Sequence, residues 1–145
     1  MRAVVTRCSS ASVEVEGKIV GQLPRPGLLV LVGATHTDTE ADAAKIVRKL
    51  AGLRILEDER SALDLDAPVL VVSQFTLYGD VRKGRRPSWS QASGREHSEP
   101  LIEHFCELLR EAGLHVETGQ FGAMMSVSSV NDGPFTVLID SADLA

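Results

Sequence analysis

Eight residues near the C-terminus, Ser129-Val130-Asn131-Asp132-Gly133-Pro134-Phe135-Thr136, constrain this chain more than any other stretch. β-forming residues flank the group, Val127 before it and Phe135 to Ile139 after it. Asn-Asp-Gly-Pro is dense turn chemistry, and on composition alone it reads as a turn between two strands. Two of its residues allow something else. Gly133 has no Cβ, so a ligand or another backbone can come close to it. Pro134 lacks an N–H and brings the cis peptide within reach.

The rest of the chain reads as one domain over residues 1–145, long enough to bury a core. Residues 3 to 23 form a hairpin: Val13 and Val15 alternate with Glu14 and Glu16, and Gly17-Lys18 suits a type II′ turn. Gly27 to Gly33 is a continuous apolar run, hence a strand covered on both faces. Thr37 and Glu40 have capping-box spacing at the start of a helix whose apolar face is Ala43, Ile46, Val47 and Leu50, with Gly52 as its stop. Arg54 to Leu56 reads as a short strand, Glu57 to Ser61 as a polar turn, and Val69 to Thr76 as a central strand.

Val81 to Ser93 is a basic loop, too long for a simple connector. A second amphipathic helix follows from about Glu99 to Ala112, capped by Ser98 with Pro100 in its first turn. Its buried stripe is Leu101, Phe105, Leu108, Leu109 and Ala112, and Gly113 stops it. Residues 114–118, 123–130 and 135–140 supply the last strands. Strands interrupted by two helices without regular βαβ alternation predict an α+β fold.

Conventional catalytic patterns are missing. The four histidines, His36, His97, His104 and His115, are scattered and have no metal-ligand spacing. Neither a Gly-x-Ser-x-Gly elbow nor a phosphate or dinucleotide loop occurs, so no metal and no cofactor are expected. Cys8 and Cys106 suggest no disulfide framework and a reducing compartment. No segment looks like a signal peptide or a membrane span, which makes the cytoplasm the expected location.

What chemistry the chain offers lies at Ser73-Gln74-Phe75-Thr76. A threonine hydroxyl with no adjacent base is a weak nucleophile, so Thr76 reads equally well as a satisfied strand end. The same ambiguity holds for Ser73 and Gln74. The backbone N–H groups of Phe75 and Thr76 are better candidates, because fixed donors can stabilise an oxyanion. Arg82, Lys83, Arg85 and Arg86 stand together in a chain of net charge −5, with Trp89 behind them. Such a cluster can neutralise phosphates while an aromatic stacks on a base; the competing reading is a solvated loop.

Ser73-Gln74-Phe75-Thr76-Leu77 together with Asn131-Asp132-Gly133-Pro134-Phe135-Thr136 resembles the two signature motifs of the D-aminoacyl-tRNA deacylase family, in the same order. The resemblance runs from Arg7 and Ala11-Ser12-Val13 to the last strand. It implies a strongly curved, mostly antiparallel, barrel-like sheet with two amphipathic helices on one side. It also implies a homodimer with the active site at the subunit interface, acting on the acceptor end of aminoacylated tRNA and not on DNA. A cis Gly133-Pro134 peptide would reach into the partner's pocket with its two carbonyls side by side, admitting D-amino acids and glycine and excluding L side chains. Asn131 and Arg7 would support that motif, and Gln74 to Thr76 would hold the ester. Phe121, Ala123 and Met125 would lie on a strand lining the adenosine pocket, and the substrate's own 2′-hydroxyl would help to activate water. Two departures stand out: Trp89 occupies a usual phenylalanine position, and the segment between Leu65 and Val69 is short. The main alternative is a protein that binds the tRNA end without turning it over.

Overall fold

A computed structural model describes residues 1–145. A six-stranded sheet is built around β1 (Arg2–Val15), which is long enough to pair with three other strands. Its N-terminal half pairs with β3 (Gly27–Gly33) and its C-terminal end with β2 (Lys18–Gln22). The other edge of β1 carries β6 (Ser126–Asp140) along nearly its whole length. All three pairings are antiparallel, whereas β4 (Val69–Ser73) joins β3 and β5 (Val116–Thr118) joins β4 in parallel. The sheet then curls until β2 meets β5. A Cβ placed on Gly21 would stand 2.1 Å from the Thr118 carbonyl oxygen, so the barrel is nearly closed.

Residue alternation explains why the central strands are apolar throughout. Val30, Val69 and Val71 face a core completed by α1 (Glu40–Gly52) and α3 (Arg95–Glu111), where Ile46, Leu50, Phe105 and Leu109 are fully buried. Leu29, Leu70 and Val72 face the other way, into the barrel, with Val13 and Leu23. A short helix α2 (Ala62–Leu65) closes the connection between α1 and β4. The fold is α+β, as expected.

Several local expectations are corrected. Asn131 to Pro134 is not a hairpin turn. The segments on both sides of it pair with β1, so the chain does not reverse. Between Thr6 and Cys8, β1 advances two residues while β6 goes from Thr136 to Asn131, and the surplus bulges out. The β1–β2 turn is Glu16-Gly17, not Gly17-Lys18. Both residues have positive φ (50° and 79°), the type I′ geometry that matches strand twist. Thr39, not Thr37, caps α1, its N–H donating to Asp42 Oδ2 at 2.8 Å. The start is displaced because Asp38 turns inward, accepting from the Met1 ammonium (2.7 Å) and the Thr35 N–H (2.7 Å).

Arg54 to Leu56 finds no strand partner, since the Leu56 N–H closes a local turn on the Arg60 carbonyl. Strand β4 stops at Ser73, and Phe75–Tyr78 forms a 3-10 turn tucked beside Gly33. Helix α3 starts earlier than its Ser98 signal, because the Gly94 carbonyl accepts from His97 and Ser98 and places Pro100 inside the helix. Its buried stripe takes in Ile102 and Cys106, while Ala112 is exposed. Residues 119–125 are a loop, so Phe121, Ala123 and Met125 are not on a strand.

Close backbone approach makes Gly27 a sensitive position. Its added Cβ would lie 2.1 Å from the Pro68 carbonyl oxygen, whereas Gly52 at the end of α1 has nothing within 4 Å. Gly27→Ala is expected to lower stability by at least the ~1–3 kcal/mol of an overpacked site. Gly52→Ala should be neutral or raise it by up to ~1 kcal/mol. Urea denaturation of the two variants beside the parent checks both signs.

Candidate active-site cleft

Where β4 ends, three distant segments converge. A cleft of about 330 Å³ is walled by Ser73, Gln74 and Phe75 on one side and by Phe121, Ala123 and Met125 on another, with Ser98 and Ile102 of α3 behind. Sequence reasoning named six of these residues from two stretches far apart in the chain. It missed Ser98, Ile102 and Val127, whose apolar or small side chains carry no chemical signal of their own. No Asp, Glu, His, Lys or Arg lines the cleft.

The geometry at the strand end is set by hydrogen bonds. The Gln74 N–H continues the sheet by donating to the Val32 carbonyl at 2.8 Å. The chain then tightens into the 3-10 turn, whose first N–H groups, those of Phe75 and Thr76, have no partner within it. The Gln74 side-chain amide donates to Thr76 Oγ1 at 2.6 Å, so that hydroxyl is held by an amide and not by a base. Nearby, burial pushes the Tyr78 phenol well above its ordinary value, with Asp38 and Asp140 adding to the effect, so Tyr78 stays protonated.

The basic loop is held against this turn. Trp89 meets the Phe75 ring edge to face at 5.4 Å between centroids and lies so close to Gly79 that an added Cβ would be 2.7 Å from its Cζ3. Asp80 and Ser88 exchange two backbone hydrogen bonds of 2.8 Å that close the base of the loop. Its far end is pinned by His36, whose Nε2–H donates to the Ser90 carbonyl at 2.7 Å. Arg82 is engaged by Asp80 at 2.6 Å, while Lys83, Arg85 and Arg86 are exposed and have no carboxylate partner. The hydrogen bonds from Arg82 hold the Asp80 carboxyl down at about 2. A lowered carboxyl pKa contributes above the unfolded value and loses its contribution only as pH falls through about 2, so this clamp is intact across the neutral range. A further cation missed in the sequence, Arg95, lies over the Phe121 ring at 5.5 Å and pairs with Glu99.

Gly133 and Pro134 do not line this cleft. They project from the β6 bulge, exposed, and their shared peptide bond is cis. Asn131 and Arg7 brace the bulge from within the same chain. The Asn131 side-chain amide donates to the Arg7 carbonyl at 2.9 Å, and Arg7 Nε donates to Asp132 Oδ2 at 3.0 Å. The Arg7 guanidinium also covers the Phe135 ring at 5.4 Å. Within one chain the two motifs therefore remain separate. No cluster of His, Cys, Asp or Glu suited to a metal ion occurs, and no helix is long and apolar enough to cross a membrane.

A family model described as D-Tyr-tRNA(Tyr) deacylase matches residues 4–140. The D-aminoacyl-tRNA deacylase of Micrococcus luteus is 59% identical over 145 residues, covering 100% of this chain and 97% of its own length. That of Thermobifida fusca is 62% identical over 140 residues, covering 97% of this chain and 99% of its own. Among solved structures, a c-Myc DNA Unwinding Element Binding Protein has a TM-score of 0.89 at 38% identity, over 97% of this chain and 98% of that one. A probable eukaryotic D-amino acid tRNA deacylase has a TM-score of 0.84 at 19% identity, over 96% and 98%, which is a likeness of fold.

Trp89 is the only tryptophan, so its emission reports the contact with Phe75. Phe75→Ala should shift that emission to the red and cost no more than ~1.5 kcal/mol, the scale of an aromatic pair between exposed rings. An unchanged spectrum would mean that the two rings do not meet in solution.

Proposed function

The chain belongs to the D-Tyr-tRNA(Tyr) deacylase family, whose members hydrolyse the ester bond of D-aminoacyl-tRNA, and from that premise we propose how its residues divide the work. The ester sits in the cleft at the end of β4. The Phe75 and Thr76 N–H groups face the carbonyl oxygen and stabilise its charge as water attacks. The absence of any titratable side chain from the cleft wall carries this reading, since it leaves proton movement to the substrate. The 2′-hydroxyl of the terminal adenosine then helps to activate the water, and Phe121, Ala123 and Met125 hold the adenine. Ser73 and Gln74 shape the ester pocket, with Gln74 keeping Thr76 in place.

Amino-acid selection falls to Gly133 and Pro134 of a second subunit in a homodimer. Their exposure on a braced bulge supports this role, as does their separation from the cleft of their own chain. An L side chain would run into that backbone and a D side chain would point away from it. Glycine has nothing to exclude, so glycyl-tRNA is also a substrate. Discrimination by clash requires no reactive side chain. Lys83, Arg85 and Arg86, with Arg82 steadying the loop, take the phosphates of the acceptor end. The setting is cytoplasmic, where aminoacyl-tRNA is made and used, and removal of D-amino acids there is a proofreading step for translation.

Parallel deacylation of D-tyrosyl-, L-tyrosyl- and glycyl-tRNA tests the selection. Loss of the D and glycyl esters with the L ester spared is expected; equal loss of all three would remove the steric account. Gly133→Ala places a methyl 3.3 Å from Asn131 Oδ1, a contact a small local shift can absorb, so the fold should persist. Its kcat/KM for D-tyrosyl-tRNA should fall about 10- to 100-fold, corresponding to ~1–3 kcal/mol of crowding, with tRNA affinity retained. Retained activity would assign selection to other residues. The pH dependence of kcat between about pH 6 and 9 should show no inflection from a protein side chain, and a bell-shaped profile would reveal a general base.

A further inference from the structure

The protein is acidic, yet its cations are unevenly matched. Of fifteen lysines and arginines, Arg2, Arg7, Arg25, Arg82 and Arg95 have a carboxylate partner. Three of the others are in the loop already described. Four more, Lys45, Arg48, Lys49 and Arg54, surround an open hollow of about 520 Å³ at the C-terminal end of α1, floored by Leu53 and Leu144. None of the four makes a hydrogen bond or an ion pair through its side chain, and the one carboxylate in the lining is the main-chain carboxylate of Ala145. Asp64, which feels the charge of Arg54, is already engaged by Ser61. The negative end of the α1 dipole amounts to roughly half a charge. With the Ala145 carboxylate it offsets between one and two of the four cations, so the patch remains positive in a chain of net charge −5.

The position of the hollow suggests an occupant. Arg54 precedes Ile55, whose carbonyl accepts from Arg7 Nη1 at 3.4 Å, and the same guanidinium holds Asp132 beside Gly133. The hollow is thus linked to the bulge proposed to face the amino acid through Ile55 and Arg7, while the loop cations belong to the loop packed on the turn at the cleft. An open, shallow surface with four long cationic side chains fits a run of backbone phosphates better than one enclosed anion. We propose that the C-terminal end of α1 is a second tRNA-binding surface, taking phosphates of the RNA body beyond the acceptor end. This rests on the tRNA reading above, and the added surface contributes affinity without touching the reacting ester.

The test uses Arg48→Gln/Lys49→Gln, both exposed, against Lys18→Glu, which changes the net charge by the same amount at the exposed start of β2. Affinity for uncharged tRNA is measured as salt is raised. The double variant should reduce the slope of log K against log salt by about 1.5–2, at roughly 0.9 for each phosphate no longer neutralised, and Lys18→Glu should leave it near the parent value. With D-tyrosyl-tRNA the double variant should raise KM several-fold at constant kcat. With the D-tyrosyl ester of a CCA trinucleotide it should match the parent. Equal slopes for the double variant and Lys18→Glu would overturn the inference, as would an equal effect on the trinucleotide ester. The binding slope decides this even without turnover. Failure of the parent to hydrolyse either ester would count against the ester chemistry assigned to the cleft instead.

Discussion

The ladder between β1 and β6 is the constraint on which this structure depends. It joins the first residues of the chain to the last strand, and its register shifts twice, at Arg7, where the surplus lies in β6, and at Ser9, where β1 carries one extra residue. Because the pairing resumes on both sides, the extra residues have nowhere to go but outward. The bulge carrying Gly133 and Pro134 is thus a product of register, held in place by Arg7 and Asn131. The same strand β1 organises the opposite edge, where β3 and β2 divide its length and curl the sheet toward closure. That curl makes the strands' two faces into two separate cores, one under the helices and one inside the barrel.

The cleft follows from the other end of the sheet. Strand β4 is apolar until Ser73, and there the hydrogen-bonding pattern changes from ladder to 3-10 turn within two residues. The backbone donors left over by that change, at Phe75 and Thr76, belong to a turn that adjoins a pocket with no charged side chain in its lining. On the reading proposed above, an oxyanion forming there would meet fixed dipoles, which need no reorganisation to stabilise it. The acidic flank of α3, with Glu99, Glu103 and Glu107, borders a neighbouring groove and disfavours phosphates on that side. The loop cations and the α1 cations then mark where a polyanion can lie.

Much of this was legible in the sequence because it rests on periodicity and on particular residue types. The run from Gly27 to Gly33, the apolar stripes of α1 and α3 and the hairpin of β1 and β2 all appear where alternation and 3.6-residue spacing put them. Boundaries were less legible wherever a tertiary contact overrode a local signal. Asp38 is drawn to the chain's ammonium group, which moves the start of α1 past Thr37. The turn signal of Asn-Asp-Gly-Pro is real in local terms, but pairing on both sides with β1 converts a reversal into a bulge. Of the cleft, Ser73 to Phe75 and Phe121, Ala123 and Met125 could be named in advance. Ser98, Ile102 and Val127 could not, since nothing but the fold distinguishes them from other small or apolar residues. The α1 hollow was half hidden: Lys45, Arg48 and Lys49 share a helix face by their i, i+3 and i+4 spacing, but Arg54 and Leu144 join them only in the fold.

The outer edge of β6 has a consequence for solubility. A strand from Ser126 to Asp140 with one side unpaired is a template onto which a stray strand could add. Val127, Val130 and Leu138 are exposed along it, which would make such addition adhesive. The bulge divides that edge into two short lengths out of register with each other, and Pro134 withdraws an N–H that an incoming strand would need. An extended chain approaching from solvent can match one half but not both. The interruption that presents Gly133 and Pro134 therefore also makes this edge a poor template for open-ended strand addition.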